Sequence, residues 1–368
     1  MSTIYFTSLA PLPSDVLRKL SRPEDLEGYH ALPPPLQRAL VFGWQWEQGQ
    51  ASFSISTSGS TGPPKTIKII RQQMVASVRN TQQALRLTSK HTALLCIDSA
   101  YIGGMMVLAR ALEINMDVVV VVPSAHLSSK LSPQPNLLAL VPLQLQAIMN
   151  EDSTLLRDKH AILVGGAPVS PALEEDIRKR INTPVYSTYG MTETASHVAL
   201  RRINGPDTSD TFRVLGDTQV GTDARGCLTI TGAVTNHERV VTNDRVVLVD
   251  ERHFRWLGRH DWVINSGGIK VSPEPVERVA AAQWLAPPHP PLLVVGLPDE
   301  RLGQRVVLVV EGHPAPEAEQ QQLLQRVAAA VPPYHAPRAV CYLTKIPQTP
   351  GGKPDRPETI KELLRTIT

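Results

Sequence analysis

Residues 56 to 66 read Ser-Thr-Ser-Gly-Ser-Thr-Gly-Pro-Pro-Lys-Thr, a run of hydroxyl-bearing residues, glycines and prolines that ends in a lysine and a threonine. Residues 51–56 before it alternate between apolar and polar side chains, which predicts a strand, and residues 66–70 predict a second strand. Between the strands, glycines let the backbone approach an anion, hydroxyl groups donate hydrogen bonds, and one lysine adds a positive charge. The stretch therefore predicts a loop that holds phosphate groups.

A Walker A loop is one alternative for this stretch. Counted from Gly59, the position of the second glycine is taken by Pro64, directly before Lys65 and Thr66. Proline has no N–H to point at a phosphate, and the predicted loop runs from strand to strand rather than from strand to helix. A Walker A site is therefore disfavoured, whereas an ordinary surface turn stays open on this stretch alone.

Length and charge limit the class of protein. The 368 residues are enough for two domains. The chain has 37 basic and 34 acidic residues and no basic block, which argues against nucleic acid as a partner.

The first residues lack the pattern of a signal peptide, and the apolar run at 118–122 is too short to cross a bilayer. The three cysteines match no metal or redox spacing. We expect a cytoplasmic protein with no membrane insertion.

Helix and strand signals alternate along the chain after the predicted phosphate loop. Helices are predicted over 71–87, 104–112 and 316–331, with a further helix over 137–148 broken near Pro142, and strands over 92–97, 117–123 and 161–164. From 226 to 258 the pattern changes to short strands of antiparallel type, and a small α+β module follows residue 261. We predict an α/β fold with a largely parallel sheet and two domains, 1–260 and 261–368.

Two motifs follow buried strands, where open α/β sheets bind ligands. The first is Gly165-Gly166-Ala167, whose glycines let a flat ring lie against the backbone. The second is Tyr-Gly-Met-Thr-Glu-Thr at 189–194, in which Glu193 offers a hard oxygen to a divalent cation and Thr192 offers a hydroxyl group to a phosphate. An ordinary turn at the first motif and a capped helix start at the second are the alternatives.

Taken in this order, the motifs resemble those of the acyl-adenylate-forming superfamily. The resemblance implies that Tyr189 stacks on adenine, Thr192 contacts a phosphate oxygen, and Glu193 binds the Mg²⁺ that bridges the phosphates of ATP. It also implies that Lys353, which follows Pro350-Gly351-Gly352, reaches the carboxylate and the α-phosphate, so Lys353, Thr192 and Glu193 are the predicted catalytic residues. The full set predicted to bind ATP is Thr57, Ser58, Gly59, Ser60, Thr61, Gly62, Lys65, Gly165, Gly166, Ala167, Tyr189, Gly190, Thr192, Asp244 and Arg259.

Three shorter resemblances extend the match towards the C-terminus. Thr242-Asn243-Asp244 is similar to a motif whose aspartate accepts the ribose hydroxyls, although a surface turn at Asn243 is an alternative. In Gly258-Arg259-His260-Asp261 the resemblance places Arg259 on the ribose and Asp261 at a hinge between the domains. Ser266, Gly267 and Gly268 resemble the loop that lines the pantetheine tunnel of CoA.

The front of the chain departs from the family. Members normally carry more residues before the phosphate loop, so we expect a large N-terminal α/β domain shortened at the front and a small mobile C-terminal α+β domain, similar to acyl-CoA synthetases. A Pro-x-x-His motif that is frequent near the acyl pocket is replaced by residues 99–104. We place the acyl pocket at Tyr101, Gly104 and Met105, although packing of a helix into the core explains these residues as well.

The resemblance implies an ATP-dependent acyl-CoA ligase that forms an acyl-adenylate and then a CoA thioester. ATP, Mg²⁺ and CoA are the expected cofactors and co-substrates, and a carboxylic acid is the expected partner. Several segments look like those of compact o-succinylbenzoate–CoA ligases of menaquinone biosynthesis. The alternatives are a ligase for another aryl or short-chain acid, an adenylation enzyme that loads a carrier protein, and a nucleotide-binding regulator without catalysis.

Overall fold

A computed structural model describes residues 2–6, 10–57, 65–128, 130–284, 289–349 and 354–367, with only the backbone at residues 57, 65 and 367. The strands, numbered β1 to β20 in chain order, are Thr3–Phe6, Leu12–Pro13, Ser52–Thr57, Lys65–Ile70, Thr92–Leu95, Asp117–Val120, Leu137–Leu140, Ala161–Val164, Val185–Gly190, His197–Arg202, Phe212–Val214, Gln219–Thr222, Cys227–Thr231, Val240–Leu248, His253–Arg259, Ile264–Ser266, Ile269–Val271, Leu292–Asp299, Gly303–Glu311 and Val340–Leu343. The α-helices, α1 to α9, are Ser14–Lys19, Pro34–Glu47, Arg71–Leu85, Ile102–Ile114, Pro142–Glu151, Pro171–Arg180, Pro273–Ala282, Glu317–Ala330 and Arg356–Ile367.

One 13-stranded sheet carries the first two thirds of the chain, in the order β12-β13-β14-β15-β11-β10-β9-β8-β7-β5-β6-β1-β2. The pairs from β9 through β8, β7, β5 and β6 to β1 are parallel. The pairs from β9 through β10 towards β12 are antiparallel. The predicted α/β fold, with its change to antiparallel strands, is confirmed.

Helices cover both faces of the parallel part of this sheet. Because side chains alternate along a strand, Ala93 and Leu95 of β5 join the core under α2, α3 and α4, whereas Leu94 joins the core under α5 and α6. Strands buried on both faces need apolar side chains at every position, which explains the continuous runs at β6 and β8.

A second, five-stranded sheet forms the smaller C-terminal part. Its strands run in the order β17-β16-β19-β18, and β20 pairs with β19. Helices α7 and α8 pack on one face through Val276 and Leu323, and α9 packs on the other through Leu363. The large sheet ends with β15 at Arg259, and the small sheet begins with β16 at Ile264. The division at residue 261 and the mobility of the small domain stay predictions.

Strands β3 and β4 form a separate antiparallel hairpin. Thr57 at the end of β3 pairs with Lys65 at the start of β4. The predicted phosphate loop therefore connects two paired strands, as the sequence indicated. Its residues 58–64 lie outside the described part of the chain.

One local prediction was wrong. Residues 137–148 form strand β7 and then helix α5, because Pro142, whose missing N–H is not needed in a first turn, begins the helix rather than breaking it. Asn243 lies inside the continuous strand β14, so the turn considered for this residue is not formed. Among the helices that the structure describes, none has the length and apolar character of a membrane span.

Candidate functional site

The end of β9 and the strands β14 and β15 bring predicted nucleotide residues together. The Tyr189 hydroxyl group donates a hydrogen bond to Oδ2 of Asp244 over 2.8 Å. The indole N–H of Trp256 donates to Oδ1 of the same carboxylate over 3.1 Å. Asp244 is 8% exposed, so both donors act on a largely desolvated anion, where hydrogen bonds to a charge are strong. Trp256 lies outside the motifs recognised in the sequence.

Arg259 joins this cluster because Asp244 and Arg259 face each other across the β14–β15 ladder. A guanidinium nitrogen of Arg259 lies 4.0 Å from Oδ1 of Asp244, and another lies 2.6 Å from Oδ2 of Asp261. The predicted ribose residues and the predicted hinge residue are therefore neighbours.

The pKa of Tyr189 is raised well above its ordinary value, mainly by burial and secondly by the negative charge of Asp244. The raised pKa keeps the Tyr189 hydroxyl group protonated and able to donate.

Gly165 fixes the distance between the two predicted ligand loops. A Cβ atom at Gly165 would lie 2.2 Å from Oγ1 of Thr188, on the neighbouring strand β9. Gly166 has a φ of +81°, in the left-handed region. Both residues lie at the carboxyl end of β8, beside the end of β9 that carries Tyr189. The Gly165–Ala167 loop and the motif at 189–194 therefore lie side by side at the ligand-binding edge of the sheet.

The motif residues after Gly190 form a short 3-10 helix at Thr192–Thr194. The Thr194 hydroxyl group caps this turn by accepting from the N–H of Met191 over 3.1 Å. Thr192 is half-buried and Glu193 is exposed. No basic side chain in the described ranges pairs with Glu193, and no cluster of three metal-ligating side chains is found there. A single free carboxylate fits Mg²⁺ that arrives with the phosphates of a nucleotide, since such sites use one or two carboxylates.

Other predicted site residues lie apart from this cluster. Tyr101, Gly104 and Met105 lie at the start of α4, where Met105 lines a cavity of about 280 Å³ against α2. Ser266, Gly267 and Gly268 form the turn between β16 and β17, and both glycines have positive φ values. The structure gives only the backbone of Thr57 and Lys65. The predicted residues that lie outside the described ranges are Ser58, Gly59, Ser60, Thr61, Gly62 and Lys353.

A buried polar group that the sequence did not predict lies beside the 189–194 motif. Arg110 of α4 is 4% exposed and donates to Oγ of Ser196 over 2.8 Å and towards Nδ1 of His197 over 3.4 Å. No acidic side chain among the described residues pairs with Arg110, and its Nε has no hydrogen-bond partner there. The available signal was one arginine in the otherwise apolar run of α4.

Comparison with known proteins identifies the family. The model of the AMP-binding enzyme family matches residues 45–252, and that of its C-terminal domain matches residues 292–353. The chain belongs to the AMP-binding enzyme family. The match covers the motifs from the phosphate loop to Asp244, and the prediction of an adenylate-forming acid–thiol ligase is confirmed at this level.

Individual relatives agree with this family but differ in substrate. An AMP-forming acyl-CoA synthetase-like protein from Dyadobacter fermentans is 36% identical, with a TM-score of 0.60 and coverage of 95% of this chain and 98% of that one. A probable 2-succinylbenzoate–CoA ligase of Mycobacterium tuberculosis is 29% identical over 83% of each chain. A 4-chlorobenzoate–CoA ligase of Pseudomonas sp. is 27% identical over 98% of this chain and 72% of the relative.

Proposed function

We propose that this member of the AMP-binding enzyme family joins an aromatic dicarboxylic acid, o-succinylbenzoate of menaquinone biosynthesis, to CoA at the expense of ATP. One observation carries the choice of acid: the buried guanidinium group of Arg110 has no counter-charge among the described residues. The curated relatives named for 2-succinylbenzoate support the same choice. The relative named for 4-chlorobenzoate makes a ligase for a monocarboxylic aryl acid the second candidate.

The position and charge of Arg110 favour a second carboxylate on the substrate. Burial lowers the pKa of Arg110 to about 10, so the group stays charged at neutral pH. A buried cation that lacks an anionic partner is costly, and an incoming carboxylate removes part of this cost. Ser196, which holds the guanidinium group, follows Glu193 by only a few residues. One carboxylate of the acid can thus react at the nucleotide while the other pairs with Arg110, which benzoate and fatty acids cannot do.

The reaction has two steps. A carboxylate oxygen attacks the α-phosphorus of ATP, the bond to pyrophosphate breaks, and an acyl-adenylate forms. The CoA thiolate then attacks the acyl carbon, and AMP leaves with the electrons of the broken C–O bond. In this proposal the 57–65 loop and Lys353 neutralise charge on the phosphates, so catalysis consists mainly of positioning and electrostatics. Mg²⁺ at Glu193 would neutralise phosphate charge.

The two domains divide these steps in the proposal. Residues 1–260 bind ATP and the acid, with Tyr189, Asp244 and Arg259 on the nucleoside. Residues 261–368 rotate about Asp261, which withdraws Lys353 and brings the turn at Ser266–Gly268 to the pantetheine arm of CoA. A small domain with one catalytic surface for each step explains why the two motifs lie far apart in its sequence.

The test is product analysis with two kinds of acid. The protein is incubated with Mg·ATP, CoA and o-succinylbenzoate, with benzoate and short fatty acids in parallel, and products are identified by mass spectrometry. We expect o-succinylbenzoyl-CoA, AMP and pyrophosphate. Arg110→Met, which keeps the length and apolar stem of the side chain, should raise the KM for o-succinylbenzoate at least about thirtyfold, because the buried charge pair is lost. Any slow turnover of benzoate should be retained.

Other outcomes select the alternatives. AMP formed only with another aryl or short-chain acid would keep the mechanism and reject o-succinylbenzoate. An adenylate that is not transferred to CoA would favour a carrier-loading enzyme. No AMP with any acid would favour a nucleotide-binding regulator. An Arg110→Met enzyme with unchanged KM for o-succinylbenzoate would remove the observation on which the choice of acid depends.

A further inference from the structure

A line of buried polar groups that ends at Arg110 connects the three elements α3, β10 and α4. Thr81 of α3 is fully buried, and His197 of β10 is 7% exposed. Nε2 of His197 lies 2.9 Å from Oγ1 of Thr81, and Nδ1 of His197 faces the guanidinium group of Arg110 at 3.4 Å. The Thr81 hydroxyl group lies 3.0 Å from the carbonyl oxygen of Ser77. Four groups from two helices and one strand are thus linked in a line.

The direction of every hydrogen bond in this line follows from Arg110. A guanidinium group can only donate, so Nδ1 of His197 must accept. The ring proton therefore lies on Nε2, which donates to Oγ1 of Thr81, and the Thr81 hydroxyl group in turn donates to the carbonyl of Ser77. The Ser196 hydroxyl group accepts a hydrogen bond from Arg110 over 2.8 Å. The same hydroxyl group can donate to Nδ1 of His197 over 3.4 Å. The neutral Nε2–H tautomer satisfies all these contacts.

A neutral histidine has an effect here that a carboxylate would not have. Burial and the neighbouring charge of Arg110 lower the pKa of His197 well below its ordinary value, so the ring stays neutral. It can fix the direction of the guanidinium group without cancelling its charge. An acidic residue at this position would form an ion pair with Arg110 and neutralise its charge, so that Arg110 could no longer pair with a substrate carboxylate.

We propose that His197, held by Thr81, is a positioning residue that aims the Arg110 guanidinium group at the second carboxylate of the acid and so sets selectivity for dicarboxylic acids. The inference rests on the proposed function, because it needs Arg110 to bind the substrate. A small cavity that Arg110 helps to line agrees with it. This cavity holds only about 10 Å³ and is lined otherwise by apolar residues such as Val107 and Leu163, so it offers the cation no competing polar partner.

The experiment compares three variants with the wild type. His197→Leu removes the acceptor, His197→Gln restores a neutral acceptor, and Thr81→Val removes the hydroxyl group that holds the ring. Thr218→Val is the matched control, because Thr218 is equally buried and its Oγ1 has no hydrogen-bond partner in the described ranges. KM and kcat are measured for o-succinylbenzoate, benzoate and ATP, and thermal unfolding shows which variants fold.

We expect His197→Leu to raise the KM for o-succinylbenzoate about tenfold or more, with the KM for ATP unchanged, since a misdirected charge loses part of a buried ion pair. Thr81→Val should have a smaller effect of the same kind, Thr218→Val should have none, and His197→Gln should recover most of the affinity.

A pH profile separates positioning from folding. In the described ranges, Arg110 of α4 is the charged group that faces the imidazole ring. Thr81 of α3 and Ser196, directly before β10, also face the ring and are neutral. Protonation of His197 at low pH removes the acceptor and places two cations together, so the wild-type KM for the dicarboxylate should rise as the pH falls. His197→Gln does not titrate and should lack this rise, even if His197→Leu fails to fold.

The outcomes distinguish this inference from the proposed function. A wild-type enzyme that uses no dicarboxylic acid overturns the proposed function, and the inference falls with it. If the wild-type enzyme uses o-succinylbenzoate but His197→Leu changes the KM values for both acids and for ATP equally, the inference alone is overturned. The same holds if His197→Gln keeps the low-pH rise of the wild type.

Discussion

Asp244 shows how one residue can be prepared for a ligand. Each of its oxygens accepts one hydrogen bond, from Tyr189 and from Trp256. A carboxylate has about four acceptor positions, so two remain for the hydroxyl groups that the family resemblance places there. The two aromatic donors fix the plane of the carboxylate before any nucleotide arrives, which lowers the entropic cost of binding.

We expect Tyr189→Phe to weaken ATP binding about fivefold, because it removes one donor from Asp244 and keeps the aromatic ring. Calorimetric titration with ATP measures the change directly. Trp256→Phe removes the donor to the other oxygen and should give a similar loss. ATP affinity that is unchanged in both variants would show that the carboxylate is held in place by other contacts or does not bind the nucleotide.

Helix α4 shows how adjacent glycines can have different roles within one element. A Cβ atom at Gly104 would lie 2.5 Å from the carbonyl oxygens of both Ile97 and Asp98, in the loop that follows β5. At Gly103 the nearest atom would be 4.0 Å away, on the side chain of Ile97. Gly104 therefore sets how closely α4 approaches the sheet, and with it the position of Met105 and Arg110.

The two glycines give a matched pair of variants. Gly104→Ala should destabilise the protein by roughly 1–3 kcal/mol, because the backbone contact forces α4 outward. Gly103→Ala should be neutral or stabilise by up to about 1 kcal/mol, because alanine favours a helix. Urea unfolding of both variants measures the difference. Equal effects would mean that α4 can move away from the loop at little cost.

The same element marks the limit of what the sequence could predict. The motifs at 189–194 and 242–244 could be recognised because each is a short continuous stretch, and the structure brings Tyr189 and Asp244 together. The group of Thr81, Arg110 and His197 comes from three separate elements and has no local pattern. Only the packing of α3 and α4 against β10 creates it. Pro142 was misread for a related reason: proline disfavours a helix interior but suits a first turn, and the sequence alone did not show which applied.

At the scale of the whole molecule, a few contacts join the two sheets near residue 261. Trp262 lies between two arginines, with the guanidinium carbons of Arg259 and Arg356 at 5.7 and 4.7 Å from ring centroids. Glu274, in the first turn of α7, accepts from the backbone N–H of Arg259 over 2.9 Å. It fits only because Gly258 has no side chain: a Cβ atom there would lie 2.1 Å from Oε2. These contacts tie a predicted nucleotide residue, Arg259, to the small sheet.

Glu274 should make this junction sensitive to pH. The residue is 7% exposed and its Oε2 has no hydrogen-bond partner in the described ranges. Burial raises the pKa of Glu274 above its ordinary value, and the nearby charge of Arg356 offsets this only in part. At pH values between the pKa of Glu274 in the unfolded chain and its higher pKa in the folded protein, the native state keeps a proton on Glu274 that the unfolded chain has lost. Stability contributed by this group therefore falls as the pH rises through that window, and the full cost of the buried charge is present above it.

Replacement by glutamine tests this sign. Glu274→Gln keeps an oxygen that can accept from the N–H of Arg259 but carries no charge, so the variant should melt roughly 2–4 °C above the wild type at pH 8. The difference should shrink towards pH 4, where the wild-type carboxyl group is protonated. Glu277→Gln is the control in the same helix: it loses the 2.6 Å ion pair with Arg356 and should melt below the wild type at neutral pH. Melting curves of Glu274→Gln and wild type that stay parallel from pH 4 to 8 would show that Glu274 does not couple this junction to pH.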